Sequence, residues 1–254
     1  PHASGFSVLD ILVIGIGDFA NGRSACCAEN AHFARRKSNV RPLALLADKF
    51  GRCPSRSCNL PATTGRELQV MDDGTIFHLA ENDYRICAYA RATDWLHWSA
   101  LGFDVTIEDE TAEVAALAVQ GPTSCAALTA MGLVGLDQLK PFGLTEFDFE
   151  GEPLVVSRTG FTGDLGYELW IAPHKAEALW DRLFESGEPY LIKPFGTHAL
   201  EMARIEAGFL QAGVDFMPAE EVVRNGRSRS PFELGLGWLV DMEKSVFNGR
   251  RALQ

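Results

Sequence analysis

From residue 72 onward, short strand-like segments alternate with helical ones, and turn-forming residues separate them. Residues 75–79 and 84–89 have the patterning of two strands joined by a turn. Residues 93–101 follow with an apolar stripe at helical spacing, and Gly102 would end that helix. The same signals predict further strands over residues 103–107, 114–119, 153–157 and 167–171, and further helices over residues 121–130, 175–184 and 197–206. This order predicts an α+β fold, mainly an antiparallel sheet with packed helices.

Composition limits the classes of protein to which this chain can belong. With 254 residues, of which 46% are hydrophobic, it can bury the core of one large domain or of two smaller ones. Its formal net charge of -11 argues against binding to nucleic acid, which needs a basic face. The longest apolar stretch, residues 8–16, is too short to span a bilayer and lacks the flanks of a secretory signal. We therefore expect a cytoplasmic protein with no membrane partner.

The spacing of cysteines and histidines does not indicate a metal site. The six cysteines include no pair of C-x-x-C elements, so we expect reduced thiols and no structural zinc. The six histidines are scattered along the chain without an i, i+4 pair. The predicted site therefore contains no metal.

The glycine-dense segment RTGFTGDLGYE, residues 158–168, is the most informative stretch of the chain. Its three glycines allow backbone conformations that other residues avoid, so the loop could approach a flat ligand closely. Glu168 stands where the next strand begins, and a carboxylate there could accept two parallel N–H bonds from an amino-pyrimidine edge. The alternative is a surface hairpin with a solvated Glu168, because glycine-rich loops are common.

This segment resembles the R-T-G-[YF]-T-G-[ED]-x-G-[YF]-E signature of the glycine-cleavage T-protein family, which comprises folate-dependent aminomethyltransferases and related demethylases. Four further segments resemble motifs of that family and occur in the same order. They are DDGT at residues 72–75, AVQGP at 118–122, RIEAG at 204–208, and PFELGLGW at 231–238 with Lys244 and FNGR at 247–250. Each match alone is weak, but five in order across residues 71–253 are specific in combination.

The resemblance implies an aminomethyltransferase folate-binding fold and a tetrahydrofolate-dependent one-carbon transferase, with tetrahydrofolate as the cofactor. Asp73 would be the catalytic carboxylate beside N5 of tetrahydrofolate, where it could hold or accept a proton as the one-carbon unit moves onto nitrogen. Asp72 competes for that role, and a turn-capping role is the alternative for Asp73. The one-carbon donor would be a small molecule or a lipoyl-protein, and the sequence does not select between them.

Four further residues complete the cofactor-binding set that the resemblance implies. Glu168 would recognise the pterin edge, and Tyr167 beside it in the motif belongs to the same set. Arg204 would lie near the cofactor or meet an acidic group, with a helix-surface ion pair as the alternative. Trp238 would stack along the pterin or aminobenzoyl ring, or else pack in the core.

Residues 1–70 differ in character from the rest of the chain. They carry nine Lys/Arg and five Asp/Glu, whereas the remainder has a net charge of -15. They also lack the N-terminal elements that the resemblance leads us to expect. We therefore predict an atypical segment over residues 1–70, a folate-binding core over residues 71–207 and the start of a following region over residues 208–254. On this basis we expect the fold to be incomplete at both ends.

Two other functions remain open at this point. A non-catalytic folate-binding module, or an inactive fragment of the same family, would explain the absence of flanking elements. A more remote alternative is an NAD-binding oxidoreductase, because residues 11–20 fit a strand followed by G-x-G-x-x-A. That fingerprint needs a helix directly after the glycines, and Asn21 and Gly22 interrupt it.

Overall fold

A computed structural model describes the protein over residues 12–16, 40–42, 47–48, 69–71, 73–80, 83–88, 93–101, 103–224, 226–243 and 250–253. Contacts group the chain into two units, and each is described by itself. Unit 1 contains Pro1–Pro42 and Gly74–Leu210, and unit 2 contains Leu43–Asp73 and Gln211–Gln254. These groups of contacting residues do not test the three-segment division, which stays a prediction.

The strands are β1 (Leu12–Ile16), β2 (Val40–Pro42), β3 (Ala47–Asp48), β4 (Gln69–Val70), β5 (Gly74–Ala80), β6 (Asp83–Ala88), β7 (Ala115–Gln120), β8 (Leu144–Phe149), β9 (Glu152–Ser157), β10 (Gly166–Ile171) and β11 (Lys193–Pro194). The α-helices are α1 (Thr93–Ser99), α2 (Ser124–Ala130), α3 (Ala176–Gly187), α4 (Thr197–Glu206) and α5 (Arg250–Leu253).

The described residues of unit 1 form two sheets. The larger has six strands in the order β11-β1-β7-β10-β9-β8, and every neighbouring pair is antiparallel except β1 with β11. The smaller has the order β2-β5-β6 and is antiparallel throughout. The predicted α+β fold with a mainly antiparallel sheet is therefore confirmed.

Strand β10 has apolar clusters on both of its faces because side chains alternate along a strand. Leu169 and Ile171 belong to the larger cluster, which α2 and α3 cover. Trp170 points the other way, into a second cluster with Phe77 of β5. All six residues of β10 are buried. Glu168 shares the face of Trp170, so the fold encloses its carboxyl group.

Helices α3 and α4 show how local sequence determines the elements around this sheet. In α3, Leu179 and Leu183 are four residues apart and both are buried, as expected of an amphipathic helix. Helix α4 has the bounds that the sequence predicts. It ends at Glu206, two residues before Gly208, whose φ of 77° suits glycine, and the Phe209 N–H donates to the Arg204 carbonyl oxygen at 2.9 Å.

Most of the predicted elements are confirmed, with boundaries that differ by up to a few residues. The strand predicted over residues 103–107 is wrong, because residues 103–110 form neither a strand nor a helix. Phe103 and Val105 are 72% and 59% exposed, so the apolar side chains of this alternating segment are not buried in a core. Strand β8, in contrast, has no counterpart among the predicted strands, although it pairs with β9 along its full length.

Unit 2 brings two distant parts of the sequence together. Strands β3 and β4 form an antiparallel pair. The Val70 N–H of β4 donates to the Arg229 carbonyl oxygen at 2.9 Å, and both Val70 and Met71 are buried. This contact holds the chain that leads to Asp73 against the segment that begins at Gln211.

The structure also bears on the predictions about membrane spans, cysteines and the dinucleotide fingerprint. None of the described helices is long and apolar enough to cross a bilayer. Cys125 carries a free thiol, whereas Cys87 is disulfide-bonded, so the prediction of reduced thiols is wrong for Cys87. Strand β1 has one parallel neighbour, β11, and one antiparallel neighbour, β7, whereas the strand of a dinucleotide-binding fingerprint has parallel neighbours on both sides. Residues 17–22, which complete that fingerprint, lie outside the described residues.

Candidate functional site

Glu168 lies on β10 inside the six-stranded sheet and is only 2% exposed. Its neighbours across the sheet are Ala118 on β7 and Ser157 on β9. The alternative of a solvated glutamate is therefore wrong. Because burying a carboxylate is costly unless hydrogen bonds replace the lost water, the partners of Glu168 determine what this site can do.

A chain of buried donors ends on Glu168. Thr159 Oγ1 donates to Glu168 Oε2 at 2.6 Å, and the hydroxyl oxygens of Thr159 and Ser157 are also 2.6 Å apart. Trp170 Nε1 donates to Ser157 Oγ at 3.3 Å. An indole N–H can only donate, and Thr159 gives its one proton to the carboxylate, so Ser157 donates to Thr159. All three donors therefore point towards Glu168.

Gln120, the last residue of β7, ties the loop before Glu168 to the sheet. Gln120 is 1% exposed, so its side chain is buried. Nε2 donates to the carbonyl oxygens of Thr159 at 3.3 Å and of Tyr167 at 3.4 Å. Oε1 accepts a hydrogen bond from Thr162 Oγ1 at 3.3 Å. One carboxamide thus holds both ends and the middle of the glycine-dense loop.

Two of the three glycines in this loop leave room for Gln120. A Cβ at Gly160 would lie 2.7 Å from Gln120 Cδ and would overlap Oε1, and a Cβ at Gly166 would overlap the same carboxamide. Only Gly163 has a positive φ, of 75°, and its Cβ would lie 2.6 Å from that of Ala207. The backbone freedom expected of all three glycines is therefore required at one of them.

Tyr167 lies on the opposite face of β10 from Glu168. It is 1% exposed within the larger apolar cluster, and its hydroxyl donates to the Leu136 carbonyl oxygen at 3.1 Å. Burial raises the pKa of Tyr167 above its ordinary value, so the phenol keeps its proton and remains a donor. These contacts give Tyr167 a place in the core, and its contact with a cofactor stays a prediction.

Arg204, on α4, is 1% exposed. Its Nη2 and Nε atoms donate to Oε2 of Glu201 at 2.6 Å and 3.2 Å, and Nη1 donates to the Phe209 carbonyl oxygen at 3.0 Å. The side chain of Glu201 is 30% exposed, so the pair reaches the surface only through the glutamate. Arg204 thus has Glu201 as an acidic partner, while its role near a cofactor stays a prediction.

Asp73 is the candidate catalytic carboxyl and belongs to unit 2. Burial raises its pKa from 3.8 to about 6, a hydrogen bond from the Ala212 backbone opposes this shift, and the negative charge of Asp215 adds to it. Asp215 is held by the Gln211 N–H at 2.7 Å. A carboxyl that titrates near neutral pH is suited to hold or accept a proton. Asp72 lies outside the described residues, so the choice between the two aspartates stays a prediction.

Trp238 lies in the short 3₁₀ turn Gly237–Leu239 of unit 2 and is 47% exposed. Packing in the core therefore does not explain this indole. The turn before it is fixed by Glu233, whose Oε2 accepts hydrogen bonds from the Ser230 N–H at 2.8 Å and from its hydroxyl at 2.9 Å. Stacking of Trp238 on a cofactor ring stays a prediction.

Four residues that shape these sites are absent from the sequence-based set. Gln120 and Thr159 lie inside two of the recognised motifs, and Ser157 directly precedes one of them. Their positions in or beside these motifs could have marked them as candidate site residues. Glu201 precedes Arg204 by three residues, a spacing that predicts an ion pair on a helix. Among the described residues, no group of three or more His, Cys, Asp or Glu side chains could hold a metal ion.

Known proteins resemble this chain in sequence and in fold. The family model described as the GCVT N-terminal domain matches residues 44–244. Trimethylamine-oxide aldolase of Ruegeria pomeroyi is 36% identical over 197 residues, which are 72% of this chain and 24% of that protein. The aminomethyltransferase of Halothermothrix orenii is 32% identical over 188 residues, which are 72% of this chain and 50% of that protein.

The solved structure of glycine cleavage system aminomethyltransferase T from Bartonella henselae shares the fold, with a TM-score of 0.66 and 24% identity, over 95% of this chain and 62% of that one. The chain spans half or less of the length of the two curated relatives. The predicted family resemblance is confirmed, and the matched range, residues 44–244, begins and ends earlier than the predicted range of 71–253. The chain belongs to the glycine-cleavage T-protein family, through the domain described as the GCVT N-terminal domain.

Proposed function

We propose that this chain carries the tetrahydrofolate-binding part of a one-carbon transferase of the aminomethyltransferase type. The buried Glu168, with a donor chain ending on Oε2, is the observation that carries the proposal. An ionised carboxylate only accepts hydrogen bonds, so the ligand group that it recognises must present N–H donors. The amino-pyrimidine edge of a pterin presents such donors, and the family supports this choice of ligand.

In the proposed reaction, Asp73 holds or accepts a proton as a one-carbon unit moves onto nitrogen. When bound, tetrahydrofolate supplies N5 as that nitrogen. A pKa of about 6 supports this role, because a group of that pKa exchanges its proton readily near neutral pH. Arg204, Trp238 and Tyr167 are proposed to contact the cofactor.

The one-carbon donor is proposed to be a small molecule or an aminomethyl group on a lipoyl-protein. One relative is named for trimethylamine oxide, which supports a small-molecule donor, and others are named aminomethyltransferases, which supports the lipoyl-protein. A cytoplasmic location stays a prediction.

A non-catalytic folate-binding module is the second candidate. It would use Glu168 in the same way but would not need a proton on Asp73. Asp73→Asn separates the two functions, because in the enzyme it should lower kcat far more than it weakens tetrahydrofolate binding. A chain that binds tetrahydrofolate but transfers no one-carbon unit from either class of donor would favour the binding module.

Calorimetric titration of tetrahydrofolate into the wild type and Glu168→Gln tests the proposal. Loss of a charged acceptor should weaken binding about 10-fold to 100-fold, because hydrogen bonds to charged groups contribute roughly 1.5–3 kcal/mol. Glu146→Gln, on the exposed part of β8, is the matched control and should bind as the wild type does. Equal affinity in Glu168→Gln and the wild type would show that the carboxylate does not read the ligand. A wild type that does not bind tetrahydrofolate would refute the proposed function.

A further inference from the structure

We propose that Thr159 is the positioning residue of Glu168, and that Ser157 and Trp170 fix the direction in which its hydroxyl points. This inference rests on the proposed function, because it names what orients the carboxylate that reads the ligand. Thr159 and Ser157 are both 0% exposed, and Trp170 is 6% exposed. Their hydrogen bonds must therefore be made within the protein.

The protons available in this chain allow one favourable arrangement. With Glu168 ionised, Trp170 donates to Ser157, Ser157 to Thr159 and Thr159 to the carboxylate, over 3.3, 2.6 and 2.6 Å. With Glu168 protonated at Oε2, both hydroxyl bonds would have to reverse. The Ser157 proton would then have the Glu168 carbonyl oxygen as its acceptor, at 3.5 Å, which is the outer limit of a hydrogen bond. The chain therefore favours Oε2 of Glu168 as a hydrogen-bond acceptor.

Both ends of the donor chain are held in place. The Thr159 backbone carbonyl oxygen accepts a hydrogen bond from Gln120 Nε2 at 3.3 Å, and the β-branched threonine has few side-chain rotamers. At the other end, the Trp170 ring packs edge-on against Phe77, with ring centroids 5.2 Å apart. Thr159 consequently offers its hydroxyl to Glu168 before any ligand arrives, and this preorganises the carboxylate for N–H donors.

A ligand pair and a variant pair test this role. We would titrate tetrahydrofolate and its 2-desamino analogue, which lacks the exocyclic amino donor, into the wild type, Thr159→Val and Thr159→Ser. Thr159→Val keeps the shape but removes the hydroxyl, so tetrahydrofolate should bind about 10-fold more weakly. The analogue should lose much less affinity, because it lacks the amino group that Glu168 is proposed to bind. A purely structural defect would instead weaken the binding of both ligands equally. Thr159→Ser restores the hydroxyl and should restore the wild-type preference for tetrahydrofolate.

Thr129→Val is the matched control, because it removes a hydroxyl whose hydrogen bond, to the Cys125 carbonyl oxygen at 2.8 Å, lies within α2. It should leave both affinities unchanged. If Thr159→Val does not fold, Ser157→Ala removes the middle hydroxyl and should shift the ligand preference in the same direction.

The outcomes separate the two proposals. The positioning role would be overturned if Thr159→Val had the same ratio of affinities for tetrahydrofolate and the analogue as the wild type. The same holds for Ser157→Ala if that variant is used instead. Either result would leave the proposed function intact as long as the wild type binds tetrahydrofolate and Glu168→Gln binds it weakly. A wild type that binds neither ligand would refute the proposed function and this role together.

Discussion

Gly160→Ala measures how completely Gln120 fills the glycine-dense loop. The added Cβ would lie 2.7 Å from Cδ and 2.9 Å from Nε2 of Gln120, whereas optimal carbon contacts begin near about 3.5 Å. The carboxamide cannot move aside without breaking its hydrogen bonds to Thr159, Tyr167 and Thr162. Overpacking of this kind, together with one lost hydrogen bond, should lower the free energy of unfolding by about 2–4 kcal/mol.

The decisive comparison repeats this substitution in a Gln120→Ala background. Gln120→Ala alone should destabilise the protein, because it removes the side-chain hydrogen bonds to the carbonyl oxygens of Thr159 and Tyr167. It also removes the obstruction, so the further change Gly160→Ala should then cost about 1 kcal/mol or less. Urea unfolding followed by tryptophan fluorescence gives all four free energies.

Gly163→Ala provides the control for this cycle. Its cost arises from a φ of 75° and from the close approach to Ala207, neither of which involves Gln120. That cost should therefore be the same with glutamine or alanine at position 120. If Gly160→Ala were also equally costly in both backgrounds, Gln120 would not be the reason for glycine at position 160.

Two further variants test the titration of Asp73 and the burial of Arg204. The raised pKa means that the folded protein binds more protons than the unfolded chain above pH 3.8, so wild-type stability falls as the pH rises through about 6. Asp73→Asn should therefore gain about 2–3 kcal/mol relative to the wild type between pH 4 and pH 7, and a constant difference in urea unfolding would contradict this. Glu201→Ala should cost about 2 kcal/mol, because it leaves the buried guanidinium short of an acidic partner. Glu185→Ala breaks an equally spaced but exposed pair with Arg182 and should cost less than about 0.5 kcal/mol; equal shifts in thermal unfolding would contradict the importance of burial.

The fold class could be predicted because apolar periodicity reports which face of an element is buried. It could not show which alternating segment finds a neighbour. Residues 103–107 alternate but leave Phe103 and Val105 exposed, whereas Leu144–Phe149 pairs with β9 along its whole length. Pairing depends on where the rest of the chain goes, and local sequence does not contain that information.

The candidate site was predictable only in part, for a similar reason. The motif points to Glu168, but burial and partners decide what a glutamate can do. Gln120 meets Thr159 and Tyr167 across separations of 39 and 47 residues, contacts that no local pattern encodes. The donor chain from Trp170 through Ser157 likewise depends on the pairing of β9 with β10, which sets the two side chains on one face.

The position of the Gln120 carboxamide also restricts how relatives of this chain can diverge. Side chains larger than hydrogen at positions 160 and 166 are compatible only with a smaller residue at position 120. A lineage that keeps glutamine must keep both glycines, and one that loses the glutamine is released from both constraints together. Two motifs that lie about forty residues apart therefore accept substitutions as a single unit, and homologous sequences should record that covariation.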